Sequence, residues 1–487
     1  MRLRAALVAV ALLTAACSSV VDGSPVADGS ARPSTGVPTT APPTTPRPTS
    51  TTSPGAPGEA CPATYLAPDP DRPRVRLAFV VAPDLTTVKG TEHIEFTPDA
   101  PITELVFRLT ANTAPTVAAG NKIEITSATA DHGGGRFTVS PAGADPSTQG
   151  GVLHIPFAAH VSAGTTVTAD LAFTLTLAGD EFDRFGSLES NGGHYAWFGS
   201  GQPLLAWERG FGWHDEDLLQ FTAESATSEA MDTSLQVTAP SGYEVLMSGV
   251  PGERTSSGSS TVWTSHGDAL RDVSVAVGPF KVTEQDVDGV KLRLGAYSQA
   301  ERDKLVPEFE RAIRELAKRF GPFPFPSLTV ARPPSNGGGI EYPSSILMAD
   351  SGRLVVVHET AHMYFYAMVG DSQALHPWLD EAFASMAEQL IDGTTEDPSA
   401  LRAPGPVDAA TESYGSDDAT YYFTTYNKGA AALQAARNAA GPDKFDAALR
   451  CYVAANAWTI ANPPDLEAAL KQLPEAVKVL QQAGALD

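Results

Sequence analysis

The sequence predicts a multidomain α+β protein in which an all-β domain is followed by a mostly α-helical domain. Its 487 residues leave room for two or three domains of about 150 residues each. Between about residues 75 and 282, apolar and polar side chains alternate in short runs separated by turn residues, which is typical of half-buried strands. From about residue 297 the apolar side chains recur at spacings of three and four, which is typical of helices.

The first 16 residues are predicted to form a signal peptide. Arg2 and Arg4 precede an apolar run at residues 5–13, and small residues precede Cys17. The apolar run is well below the roughly 20 residues that a membrane-spanning helix needs, and no later stretch approaches that length, so we predict no integral span. The ending LTAAC resembles a bacterial lipoprotein processing site, which predicts lipidation of Cys17; a plain secretory signal is the alternative.

Residues 17–60 are predicted to form a stalk. The segment after Cys17 is dominated by Pro, Thr, Ser and Gly and has almost no aliphatic or aromatic residues, so it cannot form a core. Its proline content favours an extended, semi-rigid chain. Together with Cys17, this segment predicts an extracytoplasmic protein that is held at the bacterial cell membrane or envelope by a lipid anchor, or is released from it.

The all-β domain is predicted at residues 61–290 and the second domain at residues 291–487. Period-two runs of the first domain include ELVFRLT, GVLHIPF, TTVTADLAFTLTL and RDVSVAVGPFKV. The second domain begins with a helix whose apolar side chains share one face: Leu305, Phe309, Ile313, Leu316 and Phe320. Gly321 and Pro322 are typical stop signals, and SLTVAR at residues 327–332 predicts a short strand.

Charge and cysteine content exclude two classes of protein. Lys plus Arg is 33 against 57 for Asp plus Glu, a formal net charge of -24 that would repel a polyanion, so we predict no nucleic-acid partner. Three cysteines are too few for a disulfide framework in a chain of this length. With Cys17 lipidated, Cys61 and Cys451 form a candidate disulfide, and the sequence leaves open whether they are bridged.

The most informative motif lies in residues 354–370, LVVVHETAHMYFYAMVG. His358 and His362 are four residues apart in an apolar run that suits a buried helix, so they lie about 40° apart around its axis and can reach one metal ion. Glu359 projects beside them, where a carboxylate can act as a general base. This is the HExxH pattern of metallopeptidases.

Glu381 supplies a third ligand, because eighteen residues separate it from His362 and it lies on a second predicted helix. Pro377 suits the start of that helix, and the apolar positions of PWLDEAFASMAEQL follow helical spacing. Two imidazoles and one carboxylate leave a fourth coordination position open, which is typical of catalytic rather than structural zinc. We therefore predict one zinc ion, bound by His358, His362 and Glu381.

These motifs resemble those of the gluzincin aminopeptidases of the aminopeptidase N and leukotriene hydrolase type. LDEAFA at residues 379–384 resembles the family's LNEGFA, with Asp for Asn and Ala for Gly. GGIEYP at residues 338–343 resembles its GxMEN or GGMEYP segment, and YNKG at residues 426–429 resembles its YxKG. With HExxH, these motifs span residues 338–429, and weaker similarity extends over most of the chain after the stalk.

The resemblance implies a sandwich- or saddle-like β domain followed by a thermolysin-like, mostly α-helical zinc peptidase domain with a short helical end. It implies an aminopeptidase that hydrolyses peptide substrates, with Glu359 as the general base and Tyr426 stabilising the oxyanion. Glu341, together with Gly338 and Gly339, is implied to bind the substrate, since the family's glutamate holds the free amine.

Three further features concern the neighbourhood of these motifs. Glu388, seven residues after Glu381, matches a glutamate of the family motif and is implied to orient a ligand histidine. His376, just before Pro377, is interpreted as a loop residue rather than a fourth ligand. Only 61 residues follow Tyr426, whereas aminopeptidase N enzymes carry a large C-terminal helical domain that roofs the active site, so we expect a cleft that is open on that side.

Two alternative functions stay open. An endopeptidase with the same zinc chemistry would cleave N-acetylated peptides, and Glu341 would then lack its proposed role. A catalytically silent surface-binding relative would keep the fold without turnover, and the presence of Glu359, Tyr426 and the three ligands argues against it. The sequence assigns no oligomeric state.

Overall fold

The computed structural model describes residues 64–179, 184–190, 192–223, 227–395 and 397–487. The predicted signal peptide, the lipidation site Cys17, the stalk and Cys61 lie outside these residues. Within them, strands dominate up to Ala296 and helices dominate afterwards. This order confirms the prediction that a strand-rich part precedes a mostly helical part.

The strands of the described residues alternate buried and exposed side chains over much of their length, as their period-two sequences predict. In chain order they are β1 Arg74–Val81, β2 Thr87–Phe96, β3 Ile102–Arg108, β4 Lys122–Ala130, β5 Thr138–Ser140, β6 Val152–Val161, β7 Val167–Thr176, β8 Phe185–Ser190, β9 Gly193–Gly199, β10 Leu204–Leu205, β11 Trp207–Glu208, β12 Gly212–Trp213, β13 Met231–Pro240, β14 Glu244–Met247, β15 Val250–Ser257, β16 Ser260–Leu270, β17 Ser274–Gly278, β18 Lys281–Val287, β19 Val290–Ala296, β20 Ser327–Arg332, β21 Gly339–Tyr342 and β22 Ser345–Met348.

The helices follow mainly in the C-terminal half. They are α1 Ala114–Ala118, α2 Gln299–Phe320, α3 Arg353–Ala361, α4 Trp378–Asp392, α5 Asp418–Tyr422, α6 Gly429–Ala440, α7 Pro442–Ala455, α8 Pro463–Leu470 and α9 Pro474–Ala483, with 3₁₀ turns at Thr110–Asn112, Pro398–Arg402 and Thr411–Tyr414 and a π-helical turn at Phe423–Lys428. In the described part of the chain, none of these helices has the length and apolar character needed to cross a membrane.

The largest sheet joins seven of the described strands in the order β15-β16-β13-β1-β2-β7-β4. β1 pairs in parallel with β13 and antiparallel with β2. Along β1 the side chains of Leu77, Phe79 and Val81 are buried, and their intervening neighbours are more exposed. Phe79 packs edge-on against Phe173 of β7 and Phe198 of β9, so this sheet packs on the four-stranded sheet β14-β17-β9-β8.

A five-stranded sheet, in the order β18-β19-β20-β22-β21, contains the segment that is predicted to bind the substrate. β20 spans Ser327–Arg332, which confirms the strand predicted there. β21 lies at the edge of the sheet, pairs antiparallel with β22 and contains Glu341. The predicted domain boundary between residues 290 and 291 falls within β19 and stays a prediction.

Helix α2 confirms the helix predicted from the spacing of its apolar residues. The Ser298 side chain caps its first turn by accepting a hydrogen bond from the Glu301 backbone N–H at 3.2 Å. The apolar side chains that predicted this helix are all buried: Leu305, Phe309, Ile313, Leu316 and Phe320. The helix ends at Gly321, whose φ of 110° is accessible to glycine and strained for other residues.

Helices α3 and α4 place the predicted zinc ligands next to β21. The apolar run at residues 354–370 suited a longer helix, but α3 ends at Ala361 and His362 caps it. The residues that follow are buried in turns, and Tyr366 has a positive φ of 104°. The apolar residues that follow His362 are therefore buried without being helical. The predicted start of α4 is confirmed, with Pro377 as its cap.

Cys451 lies in α7 and takes part in a disulfide bond. The predicted partner, Cys61, lies outside the described residues, so the pairing itself stays a prediction.

A buried cluster of charged side chains connects β11, β12 and α8. His214 is fully buried, and its two ring nitrogens lie 2.9 Å from Oε2 of Glu208 and 2.8 Å from Oε1 of Glu216. Asn462, the cap of α8, donates a hydrogen bond to the other oxygen of Glu208 at 3.2 Å. Burial lowers the pKa of His214, but its hydrogen bonds with the two glutamates outweigh that effect and raise the pKa above 6.5.

This cluster predicts a pH-dependent part of the folding stability. Because the folded-state pKa of His214 is raised, its contribution is fully present below about pH 6.5 and is lost as the pH rises through the folded-state pKa. We expect His214→Gln to lower the free energy of unfolding by about 1.5–3 kcal/mol at mildly acidic pH, as is typical of hydrogen bonds to charged groups. Urea unfolding of both proteins over a pH series should show the difference shrinking above about pH 6.5. A difference that stays constant over the series would contradict this account.

Candidate active site

Three side chains from α3 and α4 converge on one point. The Nε2 atom of His358 lies 3.1 Å from Oε2 of Glu381, and the Nε2 atom of His362 lies 3.5 Å from the same oxygen. The donor atoms of all three residues lie within 4.8 Å of one another. The structure therefore brings the three predicted ligands together in a group small enough to bind one cation.

The opposite ring nitrogens of both histidines contact carboxylates. Nδ1 of His358 lies 2.7 Å from Oε1 of Glu388, which places Glu388 where an orienting residue would act. Nδ1 of His362 contacts Oδ1 of Asp380 in the same way. No role was predicted for Asp380 from the sequence. The available clue was an acidic residue where the similar family has Asn, but the motif did not indicate which side chain it would contact.

The charges around the ligands favour a cation. Burial lowers the pKa of His358, but the hydrogen bonds with Glu381 and Glu388 outweigh it and raise the pKa to about 10. Burial raises the pKa of Glu381, but the two histidines lower it well below its usual range. Positive charge is thus strongly stabilised at this point. With two imidazole nitrogens and one carboxylate oxygen as donors, the residues present fit zinc.

Glu359 lies beside the ligands in a buried position. One of its carboxylate oxygens, Oε2, has no hydrogen-bond partner among the described residues. A Cβ atom added at Gly339 would lie only 2.4 Å from Cγ of Glu359, so the close approach of β21 to this side chain requires glycine there. Gly338 fixes the same segment, because its carbonyl accepts hydrogen bonds from the N–H groups of Ala349 and Asp350 at 2.7 and 2.9 Å.

Glu341 of β21 adds a second buried carboxylate next to that of Glu359. It is 2% exposed, and its Oε1 atom has no hydrogen-bond partner among the described residues. Glu341, Glu359 and His362 each place one polar atom within 4.8 Å of the others. Burial raises the pKa of Glu341 to about 8 and that of Glu359 to about 7. A positively charged group bound between these two carboxylates would stabilise both in their ionised form.

Tyr426 lies in the π-helical turn that precedes α6. Its hydroxyl donates a hydrogen bond to Oε1 of Glu381 at 2.5 Å, and its ring stacks parallel to that of His358 with the centroids 5.8 Å apart. Burial raises the pKa of Tyr426 well above 10, so its hydroxyl stays protonated and can donate. Short π-helical turns are frequent at functional sites, because the extra residue redirects the side chains.

The edge strand that carries Glu341 also contacts the strand-rich part of the chain. A Cβ atom at Gly199, the end of β9, would lie 2.0 Å from the ring of Tyr342, so the two segments pack in direct contact. The Tyr342 hydroxyl accepts a hydrogen bond from Nη1 of Arg184 at 3.2 Å. These buried contacts help fix the position of β21 relative to the ligands.

His376 is engaged in a separate pair. Its Nδ1 atom lies 2.8 Å from Oδ1 of Asp408, which also accepts a hydrogen bond from Nε1 of Trp378 at 3.1 Å. The ring therefore contacts a carboxylate outside the group formed by the three ligands.

Sequence comparisons relate the chain to known peptidases. Residues 341–483 match the Peptidase family M1 domain. The chain is 25% identical over 240 residues to Aminopeptidase M1 of Arabidopsis thaliana, which covers 41% of this chain and 27% of that protein. It is 26% identical over 252 residues to Aminopeptidase M1-A of Oryza sativa subsp. japonica, with 43% and 28% covered. The chain thus matches about a quarter of the length of these curated relatives.

Comparison of structures extends the similarity to most of the described chain. The M1 zinc metallopeptidase from Deinococcus radiodurans matches with a TM-score of 0.63 at 21% identity, over 86% of this chain and 93% of that one. A mutant of that protein bound to a Tyr-Ser-Ala substrate matches with a TM-score of 0.63 at 20% identity, over 86% and 94%. At these identities the similarity shows the fold. The donor set formed by His358, His362 and Glu381 fits zinc on its own chemistry.

Proposed function

We propose that this chain, whose residues 341–483 match the Peptidase family M1 domain, is a zinc-dependent aminopeptidase that removes N-terminal residues from peptides. The observation that carries the proposal is the position of Glu341, a buried carboxylate with a free oxygen beside both Glu359 and a zinc ligand. In this proposal residues 291–487 form a thermolysin-like catalytic domain, and residues 61–290 form a sandwich- or saddle-like domain. The relatives named aminopeptidases support it.

His358 and His362 would hold zinc through their Nε2 atoms, and Glu381 would hold it through its carboxylate. Zinc bound in such a site lowers the pKa of a coordinated water to about 7 and polarises a carbonyl oxygen. Glu388 lies behind the ring of His358, so that this ring would present its Nε2 atom to the metal.

Glu359 is proposed to accept the proton of the attacking water and to return it to the departing amine. The side chain is buried next to the ligands, where a general base must lie, and its Oε2 atom is not occupied by another hydrogen bond. Gly339 leaves room for the carboxylate in this position, because any larger residue would displace it.

Glu341 is proposed to pair with the ammonium group of the first substrate residue. A carboxylate that is shielded from water interacts strongly with a cation, and a second carboxylate, that of Glu359, lies within 4.8 Å. This pairing would place the first peptide bond at the zinc ion and no later one. The free amine is therefore the group that would distinguish substrates from other peptides.

Tyr426 is proposed to donate its hydroxyl hydrogen to the oxyanion that forms during hydrolysis. We expect Tyr426→Phe to lower kcat about a hundredfold, since the loss of one oxyanion donor typically costs about 3 kcal/mol in the barrier. KM should change little, because the ring and its stacking on His358 are retained. Steady-state kinetics with an aminoacyl amide measure both constants, and zinc content serves as the control. A kcat within threefold of the wild-type value would remove Tyr426 from this role.

The proposed function is tested by zinc content and substrate selectivity on the full chain. We expect one zinc ion per chain, hydrolysis of a peptide with a free amine, and much slower hydrolysis of the same peptide after N-acetylation. Chelation should abolish turnover and added zinc should restore it. Equal cleavage of the acetylated peptide would favour an endopeptidase, and zinc-free protein without turnover would favour a silent binding relative.

A further inference from the structure

The Asp380 side chain is completely buried behind the zinc ligands, and both of its carboxylate oxygens are used. Oδ1 contacts Nδ1 of His362, and Oδ2 accepts a hydrogen bond from Nε2 of Gln373 at 2.9 Å. Gln373 is 1% exposed and lies in the loop between α3 and α4. A buried carboxylate that is held on both sides cannot rotate without losing a hydrogen bond.

This geometry determines which nitrogen of His362 carries the proton. A neutral imidazole has one N–H donor and one nitrogen with a free lone pair, and only the second can bind a metal. A carboxylate accepts hydrogen bonds and does not donate them, so Asp380 requires the proton to be on Nδ1. The Nε2 atom, which faces Glu381 at 3.5 Å, then keeps its lone pair for the metal.

We propose that Asp380, oriented by Gln373, is a positioning residue for zinc that keeps His362 in the tautomer whose Nε2 atom binds the ion. The inference rests on the zinc site of the proposed function and goes beyond it, because it assigns roles to two residues that touch neither zinc nor substrate. It also concerns a difference from the similar family, whose motif has Asn at this position.

An amide at this position would disturb the arrangement in this chain. If the asparagine of an Asp380→Asn variant turned its oxygen to His362, its NH₂ group would face the NH₂ group of Gln373, and two donors would meet. If it turned its NH₂ group to His362 instead, the ring would need its free lone pair on Nδ1, which places the proton on Nε2. The second orientation opposes zinc binding by Nε2 directly, and the first keeps the required tautomer only if the Gln373 amide turns over to accept from the asparagine.

The Glu388 contact with His358 provides an internal comparison. The Glu388 side chain is 22% exposed, whereas that of Asp380 is 1% exposed. Water can therefore satisfy the introduced NH₂ group of a Glu388→Gln variant more easily than that of Asp380→Asn. We expect the loss of zinc affinity to be smaller at position 388.

The test measures zinc release from the full-length, zinc-loaded protein to an excess of chelator. Asp380→Asn is expected to release zinc 10- to 100-fold faster than the wild type, the range typical for loss of a group that orients a metal ligand. Asp408→Asn is the matched control, because it changes the same kind of contact at His376, which is not a ligand, near the start of the same helix. Its release rate should equal that of the wild type.

A second variant separates orientation from general damage to the fold. In Asp380→Asn combined with Gln373→Glu, the asparagine can accept from His362 with its oxygen and donate to the introduced glutamate with its NH₂ group. We expect this double variant to recover most of the lost zinc retention, which a merely structural defect would not allow. A double variant that releases zinc as fast as Asp380→Asn would overturn the role of Gln373.

The results would distinguish failure of the role proposed for Asp380 from failure of the zinc site itself. A wild-type chain that binds no zinc would refute the zinc site of the proposed function. A wild-type chain that binds zinc and hydrolyses peptides, together with an Asp380→Asn variant of unchanged release rate, would overturn only the role of Asp380.

Discussion

The Glu359→Gln variant is expected to bind zinc like the wild type and to hydrolyse an aminoacyl amide roughly 10²- to 10⁴-fold more slowly, the usual contribution of a general base. Glutamine has the shape of glutamate and can keep the close contact with Gly339, so the backbone of β21 need not move. Its amide cannot accept a proton from water at neutral pH. The loss should therefore appear in kcat, with the zinc ligands unaffected.

The measurement pairs turnover with zinc content determined on the same preparation. Glu475→Gln, which neutralises an exposed glutamate in α9, is a suitable control and should have wild-type kinetics. If Glu359→Gln retained more than a tenth of the wild-type kcat with a full complement of zinc, another group would have to accept the proton. The mechanism proposed for this chain would then be wrong at its central step.

The proximity of His358, His362 and Glu381 could be predicted because their geometry is local. His358 and His362 are four residues apart at the end of one helix, and that spacing alone places both rings on one side. Helical periodicity after Pro377 predicted that Glu381 lies on a second helix, and Glu381 lies on α4. In each case one helix fixes the direction of the side chain, and little depends on how distant parts of the chain pack.

The position of Glu341 could not be derived in this way, and the prediction depended on a family resemblance. Its distance from Glu359 depends on the register between β21 and β22 and on the absence of a side chain at Gly339. Both are properties of the assembled sheet. The His214 cluster was not predicted from the sequence. Glu208 and Asn462 are far apart along the chain and meet only in the fold.

Asp380 and Glu381 are consecutive residues of α4, and they contact opposite sides of the His362 ring. Neighbouring positions on a helix point about 100° apart. Glu381 therefore faces the Nε2 atom of His362, while Asp380 contacts Nδ1 of the same ring. Both acidic residues are visible in the sequence. Which of them faces Nε2 of His362 and which contacts Nδ1 depends on the position of α3 relative to α4.

The Glu341→Gln variant is expected to lose most of its efficiency on peptides with a free amine. Removing one partner of a buried charge pair typically costs about 2–5 kcal/mol, which corresponds to a fall in kcat/KM of roughly 30- to 5,000-fold. The carboxylate is 2% exposed, so water cannot screen its interaction with an ammonium group. Glutamine keeps the size of the side chain and removes only the charge.

The selectivity for a free amine separates this role from a general loss of activity. The ratio of kcat/KM for a peptide to that for its N-acetylated form should be large in the wild type and should fall towards one in Glu341→Gln. Tyr426→Phe should lower activity without changing that ratio, because its hydroxyl contacts Glu381 rather than Glu341. If Glu341→Gln reduced both substrates equally, Glu341 would support the structure of the site and the terminal amine would have to be recognised elsewhere.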